Sequence, residues 1–169
     1  MLRKLFYIIV ILTGIGLLLP SSQIIPVLGA DSTDWNHDTF WHSPWGSSGM
    51  HKGIDIFAIQ RTPVIASTYG VVVKVAQSDK GGRYVLVLGP KWKLHYYAHL
   101  DDTQAKPGDW LGSGQQLGLV GTTGNAAERP PHLHYAIYSL LPYFWLADDT
   151  PQGWKKMFIL NPQEYLSGF

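Results

Sequence analysis

The sequence predicts an all-β fold, mainly an antiparallel sheet or sandwich, preceded by an N-terminal hydrophobic export segment. Two observations carry this prediction. Short β-branched runs recur between residues 54 and 138, and turns rich in glycine separate them. Near the N-terminus, by contrast, one long apolar run shows no alternation of polar and apolar residues.

Residues 1–30 have the layout of a secretory signal peptide. Two basic residues precede the apolar run Leu5–Leu19, a proline follows it, and Gly29 or Ala30 offers a small residue for cleavage. The alternative is an uncleaved membrane anchor, although these 15 residues fall short of the roughly 20 that span a bilayer. Either alternative places residues 31–169 outside the cytoplasm, in the periplasm or cell wall, secreted or attached to the inner membrane.

Glycine, proline and other turn residues divide the remaining chain into its predicted secondary-structure elements. Residues 31–50 are polar, aromatic and interrupted by proline and glycine, which predicts ordered irregular structure. Asn161 fits a helix N-cap followed by a proline, which predicts a short helix over Pro162–Leu166. Between these regions the pattern predicts seven strands: Ile54–Ala58, Pro63–Ala66, Gly70–Val75, Tyr84–Gly89, Leu94–Leu100, Gln116–Val120 and His132–Tyr138.

The composition excludes several classes of protein. Only 15% of residues are charged, the formal net charge is +1, and without residues 1–30 it becomes −1, with 11 basic and 12 acidic side chains. A nucleic-acid-binding protein or a disordered polyelectrolyte is therefore not expected. The absence of cysteine excludes a disulfide scaffold, a cysteine zinc finger and a thiol nucleophile. Catalysis would have to use His, Asp, Glu, Ser, Tyr or a metal.

Two short motifs could form a metal site. His132 and His134 lie two residues apart in a predicted strand, so both imidazoles point to one face. A chance surface pair is the alternative for these two residues alone. His51 and Asp55 lie four apart in an extended segment. Together the motifs offer nitrogen and carboxylate ligands, the mixed set that catalytic zinc sites use while leaving one position open.

The run from Leu94 to Leu100 adds two histidines. Strict alternation predicts that His95, Tyr97 and His99 share one face, which fits either a cleft wall or a solvated sheet face. His95 is therefore a candidate for the cleft, whereas His37 and His42 have no assigned role. Three aromatic residues are candidates for the walls of a groove, with core packing as the alternative for each: Trp45, Tyr97 and Trp145.

These motifs resemble those of the lysostaphin-type (LytM-like) zinc metalloendopeptidases, a family of peptidoglycan hydrolases. The resemblance covers residues 41–166. It rests on the following segments in this order: His51-Lys52-Gly53-Ile54-Asp55, Tyr97-Ala98-His99-Leu100, Lys106-Pro107-Gly108-Asp109, His132-Leu133-His134 and the closing segment from Asn161 to Leu166.

The resemblance implies a zinc metallopeptidase domain over residues 31–169. It implies one Zn²⁺ per chain, bound by His51, Asp55 and His134, with His132 and His99 as catalytic histidines that do not bind the metal. Metal-activated water would attack the carbonyl of a peptide cross-link in peptidoglycan, and the protein would act as a monomer. The alternative is a non-catalytic module on the same fold that binds the cell wall or activates an amidase. The sequence does not indicate which peptide bond is cleaved.

Overall fold

The computed structural model describes residues 2–166, which form mainly antiparallel β-structure as predicted. Two α-helices flank the strands, α1 over Leu2–Leu18 and α2 over Gln163–Leu166. All seven predicted strands are present, and three more have only two residues each. The ten strands are β1 Ile54–Phe57, β2 Pro63–Ile65, β3 Gly70–Ser78, β4 Gly82–Leu88, β5 Lys93–Leu100, β6 Asp102–Thr103, β7 Trp110–Leu111, β8 Gln116–Leu119, β9 His132–Ser139 and β10 Ile159–Leu160.

The strands form two antiparallel sheets. The larger has the order β1-β9-β5-β4-β3-β7, with β10 also paired to β9, and the smaller has the order β2-β8-β6. Strand β9 therefore lies between β1 and β10 on one side and β5 on the other. In this register His134 is opposite both Asp55 of β1 and Ala98 of β5.

One hydrophobic core joins the two sheets. Along β9 the side chains of Leu133, Tyr135 and Ile137 are buried in this core, together with Val64 and Leu117 of the smaller sheet. Because successive side chains of a strand point to opposite faces, the intervening histidines of β9 point away from the core. Burial of each large apolar side chain contributes about 1.5 to 3 kcal/mol, so the core fixes which face of β9 is available for chemistry.

Helix α1 lies outside this core. Its apolar side chains are largely exposed, Phe6 and Ile11 among them. It contacts the domain through Trp92, whose indole Nε1 donates a hydrogen bond to the carbonyl of Thr13 (3.0 Å). Within residues 2–166, no helix is both long enough and apolar enough to cross a membrane.

The segment just after the helix belongs to the folded domain. Leu28 N donates to Pro63 O and Ile65 N donates to Pro26 O, both at 3.0 Å, so this segment extends the smaller sheet beside β2. The side chain of Val27 is only 2% exposed and forms part of the core. Strand pairing and core packing thus cross the predicted domain boundary at residue 31, and that boundary stays a prediction.

A charged side chain also lies beneath the sheet. Lys93 is 3% exposed, and its Nζ is 3.6 Å from the centroid of the Tyr165 ring. Burial, reinforced by the charge of Lys91, lowers the pKa of Lys93 to about 8. Cation–π contact with Tyr165 partly offsets the cost of removing this ammonium group from water.

Removal of residues 1–30 should destabilise the domain more than removal of residues 1–20. We expect the chain that starts at Asp31 to have a free energy of unfolding lower by about 2 kcal/mol or more, because it loses Val27 and the pairing beside β2. Urea unfolding followed by tryptophan fluorescence measures both values. In the longer chain Val27→Ala should reproduce part of the loss, while Leu28→Ala, at an exposed position, should not. Equal unfolding free energies for the two truncated chains would contradict the prediction.

The burial of Lys93 predicts a pH-dependent stability. Its folded pKa lies below the unfolded value near 10.4, so the unfolded state binds more protons between these two values and stability rises with pH. Relative to Lys93→Met, the wild-type protein should gain about 2 kcal/mol between pH 8 and pH 10. Denaturant unfolding at a series of pH values tests this, with Lys106→Met, at an exposed position, as the control. A difference between wild type and Lys93→Met that does not change with pH would refute the prediction.

Candidate active site

An open cleft of about 210 Å³ lies over β5 and β9, on the face opposite the core. Its floor is formed by the strands, and its walls come from residues 45–52, from the turn between β3 and β4, and from residues 125–129. Five residues predicted to take part in the chemistry line this cleft together: His51, Asp55, His99, His132 and His134.

Three donor atoms converge in the cleft. Asp55 Oδ1 lies 3.1 Å from His51 Nε2 and 2.7 Å from His134 Nδ1, and the two nitrogens are 3.2 Å apart. In a tetrahedral zinc site with ligands at about 2.0 to 2.1 Å, pairs of ligand atoms lie roughly 3.3 Å apart. The spacing and the donor types therefore fit a zinc ion, and the three residues form the group in residues 2–166 that could hold a metal.

His51 is held by its surroundings on two sides. Its Nδ1 donates a hydrogen bond to the carbonyl of Thr39 (3.0 Å), which leaves Nε2 as the unprotonated nitrogen toward Asp55. The indole of Trp45 stacks on the imidazole, with ring centroids 4.1 Å apart and planes inclined by 22°. The side chain of His51 is only 1% exposed. Such partners fix the tautomer and the orientation of a metal ligand.

Asp55 and His134 are positioned by strand pairing. They lie opposite each other in β1 and β9, and Gly53 provides the space that His134 needs. A Cβ at Gly53 would lie 2.5 Å from the carbonyl of Tyr135 and 2.9 Å from His134 Nε2, so any larger residue would displace the ligand. Burial by itself would raise the pKa of Asp55, but the close contacts with His134 and His51 outweigh it and hold that pKa well below its usual range.

The other two histidines lie beside the three donors. Nδ1 of His132 donates to the carbonyl of Pro130 (2.8 Å), and its Nε2 is 4.0 Å from Asp55 Oδ1. Nδ1 of His99 donates to the carbonyl of Thr123 (2.8 Å). The two imidazole centroids are 5.0 Å apart. Burial, helped by the nearby charge of His134, lowers the pKa of His99 to about 4, so this ring is neutral at neutral pH.

The predicted alternation of side chains along β5 fails at its C-terminal end, at His99. His95 and Tyr97 are fully buried on the core side, where His95 Nδ1 and the Tyr135 hydroxyl are 2.7 Å apart. His99 nevertheless lines the cleft, because its backbone has φ of 63°, in the left-handed region, which turns its side chain to the face of Tyr96. His95 is therefore not a cleft residue, and burial lowers its pKa to about 3.

Of the remaining aromatic and histidine candidates, one lines the cleft and the others lie outside it. Trp45 lines the cleft, whereas Tyr97 is in the core and Trp145 is 76% exposed and packs on Tyr143. Two histidines lie outside the lining of the cleft. His37 lies within hydrogen-bond distance of Gln163 and the carbonyl of Ser32, and His42 packs edge-on against Trp45.

Several residues of the cleft have no signature in the sequence. Tyr96 and Tyr138 pack edge to face on the floor, and three cations line the walls: Lys52, Lys80 and Arg129. Burial lowers the pKa of Lys52, and the charges of Lys155 and Lys80 act in the same direction. These cations come from three separate segments, so only the tertiary structure shows that they meet.

Comparison with known proteins finds a family and several relatives. The model of peptidase family M23 matches residues 49–143. The L-Ala–D-Glu endopeptidase of Bacillus subtilis is 35% identical over 115 residues, covering 63% of this chain and 35% of that protein. A glycyl-glycine endopeptidase of Staphylococcus capitis is 34% identical over 91 residues, covering 53% and 25%. The solved catalytic domain of lysostaphin from Staphylococcus simulans superimposes with a TM-score of 0.56 at 30% identity, covering 63% of this chain and 81% of that domain.

Loss of the Trp45 ring should weaken metal binding. Stacked aromatic pairs contribute about 0.5 to 1.5 kcal/mol, so Trp45→Ala should reduce the affinity for Zn²⁺ by about three- to tenfold, while Trp45→Phe should retain most of it. Competition with a chromophoric chelator gives the dissociation constants. Trp145→Ala removes an exposed ring outside the cleft and should bind zinc like the wild type. Wild-type affinity in Trp45→Ala would show that the stacking does not position His51.

Proposed function

The chain belongs to peptidase family M23, and we propose that it is a zinc-dependent endopeptidase that hydrolyses peptide cross-links of bacterial peptidoglycan. One observation carries the proposal: His51, Asp55 and His134 bring three donor atoms together on the floor of an open cleft. The chain spans well under half the length of the two peptidases compared above, whose names describe enzymes that cut peptide bonds. The activity and the substrate are therefore inferred from the site and from family membership.

His51, Asp55 and His134 would hold one Zn²⁺ and leave a fourth position open toward the cleft. When bound, the ion supplies Lewis acidity, which polarises a peptide carbonyl and lowers the pKa of water. The chain fixes the donors beforehand through the Thr39 carbonyl, the Trp45 ring and the pairing of β1 with β9. Preorganised ligands of this kind require little rearrangement when the substrate arrives.

His132 and His99 are proposed to move protons. Each donates its Nδ1 proton to a backbone carbonyl, so Nε2 is the ring atom free to accept the proton that water loses during attack on the peptide carbonyl. After accepting it, the Nε2–H group can donate to the developing oxyanion or to the leaving amine. The sequence contains no HExxH motif, so no glutamate of that motif is present to act as the base.

The proposed substrate also locates the protein. Peptidoglycan lies outside the cytoplasmic membrane, so we propose that residues 1–30 export the domain. A single chain contributes all five site residues, which agrees with action as a monomer.

The two histidines of β9 should respond differently to substitution. His134→Ala should lose both zinc and activity, whereas His132→Ala should keep zinc and lose turnover by about 100-fold or more, because it removes only proton transfer. Metal content by mass spectrometry and release of soluble fragments from purified sacculi measure the two properties. His37→Ala, at an exposed position outside the cleft lining, is the matched control. Equal loss of zinc in His132→Ala and His134→Ala would contradict the division of roles.

Chelation distinguishes the enzyme from a non-catalytic wall-binding or amidase-activating module. The metal-free protein should leave sacculi intact in a zymogram, and added Zn²⁺ should restore a cleared band. Undiminished hydrolysis after chelation would refute the metal site, and no hydrolysis by the zinc-loaded protein would favour the non-catalytic module.

A further inference from the structure

The cleft carries an excess of positive charge that the proposed chemistry does not use. Lys52, Lys80 and Arg129 line its walls, and Asp55 is the only acidic residue of the lining. Its carboxylate already lies in close contact with His51 and His134. Residues 31–169 as a whole have a formal charge of −1, so the concentration of cations is a property of this site and does not follow from composition.

Among the described residues 2–166, these cations have no acidic partner. Within residues 2–166, the ion pairs of lysine or arginine are Arg61 with Asp101 and Lys156 with Asp148, both outside the cleft. Lys52 Nζ donates a hydrogen bond to the carbonyl of Ser48 (3.3 Å). In the same part of the chain, no hydrogen bond or ion pair is formed by the side chain of Lys80 or Arg129. Their charges are therefore available to a bound molecule.

The three side chains come from three separate segments of the chain. Lys52 follows the ligand His51, and Lys80 lies in the turn between β3 and β4. Arg129 precedes Pro130, the residue whose carbonyl orients His132. We call Lys52, Lys80 and Arg129 the cationic rim. A peptide that reaches the three donor atoms lies in the cleft that this rim lines. Carboxylates form stronger hydrogen bonds with lysine and arginine than neutral amides do.

On this basis, and resting on the proposed function, we propose that the cationic rim selects peptides that carry free carboxylates beside the scissile bond. Stem peptides of peptidoglycan that contain D-Glu offer such a group, whereas a glycine bridge is neutral. The rim would act by binding and orienting the substrate, so its loss should raise KM more than it lowers kcat.

The test compares substrates that differ only in charge. The zinc-loaded chain of residues 1–169 is given three substrates. They are cross-linked muropeptide dimers with free carboxylates, the same dimers after conversion of the carboxylates to carboxamides, and a pentaglycine peptide. We expect kcat/KM to fall about tenfold on amidation, mainly through KM, and to be lower still for pentaglycine. The preference should shrink at high ionic strength, because salt screens exposed charges.

The Lys80→Gln/Arg129→Gln variant, which leaves His51 and its neighbour Lys52 intact, should cut both forms of the dimer at about the same rate. Lys106→Gln, an exposed cation outside the cleft, is the control and should keep the tenfold preference. Three results would each contradict the proposed role of the cationic rim while leaving the endopeptidase proposal in place. They are equal rates of the wild type on both dimers, an undiminished preference in the double variant, and cleavage of pentaglycine as fast as the carboxylated dimer. If wild type cuts none of the substrates, both proposals fail.

Discussion

The pairing of β9 with its neighbours is the constraint on which the rest of this structure depends. His134 lies opposite Asp55 on one side and Ala98 on the other, and Ala98 lines the cleft beside it. A shift of this register by one residue would turn His134 into the core and bring Leu133 to the cleft, which would destroy the site and the core together. The same core residues that stabilise the sheet therefore determine the chemistry of its other face.

The irregular segments orient side chains of the site that the sheet alone does not hold. The imidazoles of His51, His132 and His99 are oriented by carbonyls of Thr39, Pro130 and Thr123, all of which lie outside the strands. Thr123 has further contacts, because its hydroxyl accepts a hydrogen bond from Arg83 N and donates one to Leu100 O. The loop that orients His99 is thus bound to β4 and β5. Backbone acceptors are independent of side-chain identity, so these loops must keep their paths even where their sequences vary.

The limits of sequence-based prediction follow from the same features. His132 and His134 could be placed on one face because the period of a strand is two, and the seven strands followed from β-branched runs between glycine turns. The alternation rule failed at His99, whose left-handed backbone turns its side chain to the cleft. The rule had placed His95 and Tyr97 on the same face as His99, whereas both are buried in the core. Nothing local in the sequence indicates the left-handed backbone of His99. The three orienting carbonyls and the burial of Val27 beside β2 could not be predicted from the sequence either, because they depend on contacts between distant parts of the chain.

The separation of the cationic rim from the sheet has a consequence for how this protein could evolve. Asp55 and His134 lie in strands whose register the core enforces, whereas Lys52, Lys80 and Arg129 lie in connecting segments. Loops tolerate substitution far better than paired strands do. A lineage could therefore change the charge of the peptide that the cleft is proposed to bind through a few surface substitutions, each nearly neutral for folding, while the three donor residues are inherited unchanged.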